Sequence, residues 1–280
     1  MKKFHLLPLL FLSSLTLTGC DDDDLPVNSD SVSNTNIFAE ITVTSADNKD
    51  AVVETRLRDG AASSNFIRLV DGDRLVATTL TDINSTHYQD NLFGNIEGLA
   101  DVYKEMTEGR NFTFTYYGIQ FTVPTAFWYS STFADIDNNA TFLIELQRPS
   151  HSNISNSTVT LPGAFDITSP IASNGTLFSR GTDNIIVNWT TPDTVTLTEV
   201  RAITRCNDGT VDQSWATTIT PDTGTYTIPA TTLVATGISG LCSTSINVQR
   251  INTGAISSGF GQGGTINGRQ SRSVVINTTD

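Results

Sequence analysis

The 280-residue chain is poor in charge, in cysteine and histidine, and in long apolar runs. Lysine and arginine number 16 against 29 aspartates and glutamates, a formal net charge of −13. A surface of that sign repels a polyphosphate, which argues against nucleic acid as a direct partner. Only His87 and His151 lie beyond residue 20, too few for a histidine-rich metal centre. Hydrophobic residues make up 38% of the chain and charged residues 16%, both lean for a globular protein. What is abundant is threonine, serine and asparagine, at 43, 26 and 21 residues, together with 20 Gly and 9 Pro. That composition favours short strands and turns over long helices.

The first twenty residues carry the sharpest motif. Lys2 and Lys3 precede an apolar run from Phe4 to Leu12, and the segment closes on Leu17-Thr18-Gly19-Cys20. The run is too short to span a bilayer core of about 30 Å. The pattern resembles a bacterial lipoprotein signal peptide with its lipobox. The resemblance implies that residues 1–19 are removed and that Cys20 becomes the acylated, palmitate-bearing N-terminus. The expected partner is then a membrane, reached through that lipid, and the expected location is the cell envelope, facing either the periplasm or the exterior. Asp21–Asp24 and the polar stretch to residue 36 contain little to bury, so 20–36 reads as a lipidated cysteine followed by a disordered acidic tether.

Beyond the tether the pattern is all-β. Residues 37–148 supply strand-like runs at 38–44, 51–57, 66–70, 74–79, 112–116, 119–123, 127–133 and 141–146. Asp71-Gly72-Asp73 reads as a hairpin turn between two of them. Ile96, Leu99, Val102, Tyr103 and Met106 recur at spacings of three and four, which predicts one short helix over 95–107. Residues 149–163, with Pro149, Ser/Asn repeats and Leu161-Pro162-Gly163, read as a linker. Residues 164–280 show strands near 185–189, 195–206 (with a bulge near Thr198-Glu199), 226–228, 242–248 and 265–277. The run Ile167-Thr168-Ser169-Pro170, followed by Ile185–Trp189, resembles the opening of an immunoglobulin- or fibronectin-III-like domain. The expectation is two β-sandwich domains in tandem, 37–148 and 164–280. Cys206 and Cys242, in a compartment outside the cytoplasm, are expected to form a disulfide.

Chemistry is thinly signalled. His87 lies in a polar loop and His151 in the linker, and neither sits in a nucleophile-elbow context. Asp71 with Asp73, and Asp135 with Asp137, could offer oxygens to calcium, but Asp135-Ile136-Asp137 lacks the glycine and distal glutamate of an EF-hand loop and Asp71-Gly72-Asp73 is a routine turn, so turn chemistry is the simpler reading of both. Phe127-Trp128-Tyr129 places consecutive rings on opposite faces of a strand, so that Trp128 or Tyr129 could stack on a ligand. No cofactor is implied. The function expected from these features is a non-enzymatic binding or adhesion module of the envelope. The alternatives are a glycan-binding or glycan-active protein and a structural subunit of an envelope assembly.

Overall fold

Alternation of apolar and polar residues turns one face of a strand toward a core. It does so here on β2 (Ile37–Ser45), where Ile37, Ala39, Ile41 and Val43 are buried, and on β3 (Ala51–Asp59), where Ala51, Val53 and Leu57 are. The structure, a computed structural model, describes residues 26–280 apart from 47–49, 64, 71, 81–102, 117–118, 135, 137–138, 172–175, 191–192, 196, 207–209, 220 and 235–239. Among the described residues the regular secondary structure is strand apart from two short 3-10 turns, as the composition predicts.

The remaining strands of the first half are β1 (Val27–Asn28), β4 (Ile67–Arg68), β5 (Arg74–Leu80), β6 (Tyr103–Glu105), β7 (Thr107–Tyr116), β8 (Ile119–Phe133), β9 (Thr141–Gln147) and β10 (Ile154–Thr160). Those of the second half are β11 (Ile167–Ser169), β12 (Leu177–Ser179), β13 (Ile185–Trp189), β14 (Leu197–Cys206), β15 (Thr210–Ile219), β16 (Thr225–Ile228), β17 (Cys242–Thr253) and β18 (Gly264–Thr279). One long sheet runs β15-β14-β17-β18-β2-β3-β8-β7, with β12 parallel to the end of β18. Two smaller sheets, β10-β9-β5-β6 and β11-β13-β16, cover its two halves and enclose two separate cores. In the second sandwich β13 pairs with β16, and β14 with β17 and β18, the two-sheet arrangement of fibronectin-III and immunoglobulin-like domains.

The sandwiches are not independent tandem units. Strand β18 pairs in parallel with β2 from Gly264↔Ala39 to Gln270↔Ser45, and antiparallel with β17 along most of its length. Its Ile266 belongs to the first core and its Val274 and Ile276 to the second. At about 3.3 Å per residue, its 16 residues span roughly 50 Å, so one strand runs the length of both sandwiches. Backbones approach closely along it. A Cβ on Gly264 would lie 2.0 Å from the Ala39 carbonyl oxygen, and one on Gly268 would lie 2.8 Å from that of Thr160.

Several expectations are corrected. The linker 149–163 contains β10, whose Ile154 and Val159 enter the first core along with Leu161. Its alternation is hidden because the register shifts between Ile154 and Ser157, with Asn156 at φ 71°, so that the polar Ser157 turns inward. The tether is ordered from residue 27. Val27 pairs with Ile67, two short 3-10 turns follow at Ser29–Ser31 and Asn34–Asn36, and the buried Arg148 guanidinium donates to the carbonyls of Ser29 and Val32 and to Asn34 Oδ1. The part of the helix 95–107 that is described is strand instead: Tyr103–Glu105 pairs with β5, and Met106, held by its N–H on the Leu75 carbonyl, is buried in the first core. Residues 95–102 lie outside the described residues. Asp71-Gly72-Asp73 does not join a hairpin, since β4 pairs with β1 while β5 pairs with β9 and β6. The bulge in β14 falls between Thr204 and Arg205, on its pairing with β15, and not near Thr198-Glu199. The runs predicted at 112–116 and 119–123 are strands and pair with each other in β7 and β8, with Tyr116 opposite Ile119.

The waist between the cores is fixed by buried charge. Arg250 Nε donates to Asp222 Oδ2 at 2.7 Å, and its Nη atoms donate to the carbonyls of Gly163 (3.2 Å) and Thr190 (3.0 Å). Asp222 Oδ1 also accepts from Trp189 Nε1 at 2.8 Å and from the Gly224 N–H at 3.0 Å. The Arg250 guanidinium lies 4.6 Å from the centre of the Phe165 ring.

Candidate ligand-binding face

Register decides which outward side chains meet. On the outer face of the long sheet, Trp128 of β8 stands opposite Arg56 of β3, which stands opposite Glu40 of β2. Two residues further along, Phe66 bridges to Arg58, which stands opposite Phe38. These rows interlock. The Arg56 guanidinium lies 4.4 Å from the centre of the Phe66 ring and 4.8 Å from that of Trp128, and Arg58 lies 5.9 Å from the Phe38 ring. Glu40 Oε1 accepts from Arg58 Nη2 at 2.5 Å, while its Oε2 lies 3.8 Å from Arg56 Nε. Both arginines keep about a quarter of their side-chain surface in solvent, at 24% each.

The electrostatics follow from the count. Two guanidinium groups share the Glu40 carboxylate, so within this trio positive charge exceeds negative. Burial lowers the Arg56 pKa from its ordinary value, Glu40 opposes that shift and Arg58 adds to it, and the group remains charged. Arg56 Nε and Arg58 Nε are shielded from water and make no hydrogen bond in the structure. Rings and guanidinium groups held half-dry in one patch are the side chains that dominate binding energy at interfaces.

The stacking residues expected from the sequence separate cleanly. Tyr129 is buried, and its Oη accepts from the Leu69 N–H at 2.8 Å, so its ring is closed to a ligand. Trp128 is the outward ring, and one of its faces already carries Arg56. Sequence reading missed Arg56, Arg58, Phe66, Phe38 and Glu40, because nothing short of strand register brings them together.

Other sequence-level candidates have structural roles or lie outside the described residues. Cys20, His87, Asp71, Asp135 and Asp137 are outside. Asp73 accepts from Arg148 Nε at 3.4 Å. His151 Nδ1 is buried with no hydrogen-bond partner, so no nucleophile is paired with it there. Among the described residues no group of three or more His, Cys, Asp or Glu converges to hold a metal. Cys206 and Cys242 form the expected disulfide. It joins directly opposed residues of β14 and β17 with Cα atoms 4.3 Å apart, so it staples neighbouring strands of one sheet and does not bridge the two sheets.

No family model matches the chain, and no curated protein matches it. Among solved structures, the FN1–FN3 domains of chicken CNTN1 are 10% identical, over 86% of this chain and 65% of that one, with a TM-score of 0.27. The BSP domain of a biofilm associated protein is 14% identical over 85% of this chain and 29% of its own, with a TM-score of 0.21. A tetra-tandem repeat from the extending region of a large adhesion protein is 17% identical over 81% of this chain and 56% of its own, with a TM-score of 0.23. The chain thus spans less than two thirds of each of these structures. The protein's class rests on its own strand order: an all-β protein of two sandwiches, the second of immunoglobulin or fibronectin-III type.

Proposed function

We propose that the protein is a lipid-anchored, non-enzymatic binding module of the cell envelope, and that it engages a protein partner through the outer face around Arg56 and Trp128. One observation carries this reading: the Arg56 guanidinium held between the Phe66 and Trp128 rings, half-buried and underused as a hydrogen-bond donor. The lipobox-like motif ending at Cys20 supports the anchor. A glycan platform is the weaker alternative, because Tyr129 is buried and Arg56 occupies one face of Trp128, whereas a sugar needs a bare ring.

The test uses labelled protein and isolated envelopes of the producing cell, either untreated or stripped of surface protein by protease. Wild type is expected to bind untreated envelopes, and stripping removes that binding. Arg56→Ala and Trp128→Ala each weaken it about tenfold or more while leaving the melting transition in place. Binding that survives stripping selects the glycan alternative, and binding indifferent to both substitutions rejects this face.

A further inference from the structure

The N-terminal segment enters the fold beside the arginine–aromatic face. Val27 pairs in parallel with Ile67, and its N–H donates to the Phe66 carbonyl at 2.8 Å. Phe66 is the ring that lies against Arg56 and bridges to Arg58. Asp21, Asp22, Asp23 and Asp24 stand three to six residues before Val27. At no more than about 3.6 Å per residue, that is roughly 11 to 22 Å of chain. Four carboxylates are therefore covalently held within reach of this face.

The face has the complementary sign. On the outward side of β3 and β4 lie Arg56, Arg58 and Arg68, against Glu54 on β3 and Glu40 on the neighbouring β2. Glu40 engages Arg58 at 2.5 Å, while its other oxygen stays 3.8 Å from Arg56 Nε, which makes no hydrogen bond. A guanidinium flanked by two rings and short of acceptors suits a carboxylate, which its forked donors can bind bidentately. The segment is also delivered to a fixed place, because the β1–β4 pairing and Arg148 hold it from Val27 onward. A link this short brings the effective concentration of the carboxylates to the millimolar range or above.

We propose that the acidic run Asp21–Asp24 docks in cis on the face around Arg56 and Arg58, and there competes with the partner that this face binds. The docking stands on the placement and charge of the two segments, whereas the competition rests on the partner-binding reading of the face given above. A fraction of molecules then has its face covered by its own N-terminal run, and the partner's apparent affinity falls with the fraction left open. The contact joins charges at a solvent-exposed face, so it weakens as salt rises.

Nuclear magnetic resonance on residues 20–280, with Cys20→Ser to remove the lipid, reads the docking directly. The comparison chain also carries Asp21→Asn, Asp22→Asn, Asp23→Asn and Asp24→Asn. At low salt the Arg56 and Arg58 side-chain N–H signals and the Trp128 indole N–H are expected to differ between the two chains. The difference should vanish near ~1 M salt, where the screening length is about 3 Å. The Trp189 indole, bonded to Asp222 in the waist, stays unchanged. With Arg56→Gln and Arg58→Gln in both chains, neutralising the run no longer moves Trp128. Identical spectra at Arg56, Arg58 and Trp128 overturn the proposal. So does a difference that grows with protein concentration, which would make the contact one between molecules. Binding to isolated envelopes then tests the competition, and the neutralised chain is expected to bind about three- to tenfold more tightly. Equal binding by the two chains overturns the competition. Docking seen in the spectra of a chain that binds no envelope rejects the partner-binding reading instead, and leaves the docking standing.

Discussion

Asp222 and Arg250 meet at 2.7 Å in the waist, with side chains 0% and 1% exposed, and Arg250 Nε, Trp189 Nε1 and the Gly224 N–H all donate to the one carboxylate. Replacing Asp222 by Ala would strand a buried guanidinium and leave Trp189 Nε1 and the Gly224 N–H without their acceptor. A destabilisation of about 3–5 kcal/mol is expected, read by denaturant unfolding. The double variant Asp222→Leu with Arg250→Met should recover much of that loss, since no buried charge remains unpaired. If the double variant is as unstable as the single, the carboxylate matters through Trp189 and Gly224 and not through the ion pair.

Arg148 is the pin for the N-terminal segment. It has no exposed side-chain surface and binds Ser29, Val32, Asn34 and Asp73 together. Arg148→Met is expected to release residues 27–36, raising amide exchange there and opening a protease site, while the second core keeps its protection. Unchanged exchange over 27–36 would mean that the β1–β4 pairing alone holds the segment.

The sharing of β18 predicts the behaviour of fragments. A chain ending at residue 163 lacks Phe260 and Ile266 from the first core and leaves β2 as an open sheet edge. It is expected to fail to give a cooperative melt and to aggregate. Co-expression with residues 164–280 should restore folding as a complex. A soluble, cooperatively melting fragment 26–163 would contradict the shared-strand architecture.

Legibility in the sequence followed the cores. Strands β2, β3, β9, β13 and β17 announce themselves because aliphatic side chains recur at alternate positions that the fold turns inward, as Ile37, Ala39, Ile41 and Val43 do on β2. Strand β10 does not, since its bulge places Ser157 inside, and β15 does not, since Thr210–Ile219 presents an edge with little aliphatic content. The periodicity of Ile96, Leu99, Val102, Tyr103 and Met106 read as helical, yet tertiary pairing with β5 makes Tyr103–Glu105, the described part, a strand. The alternation at Trp128-Tyr129 did assign one ring inward and one outward. Which was which, and that Arg56 would lie over the outward one, depended on pairings between segments about 70 residues apart. The disulfide was legible from the cysteine count and from the compartment that the signal-peptide resemblance implies, whereas the return of β18 to β2 has no local signature.

That return also orders events in time. The Ala39↔Gly264 contact joins positions 225 residues apart (264 − 39), so β2 is synthesised long before its parallel neighbour exists. At about 5–20 residues per second, the interval is tens of seconds at slow elongation and roughly ten at fast. Through that interval the first sandwich stays open-edged and uncommitted. A chain of this design cannot close its first sandwich until nearly all of it has been made.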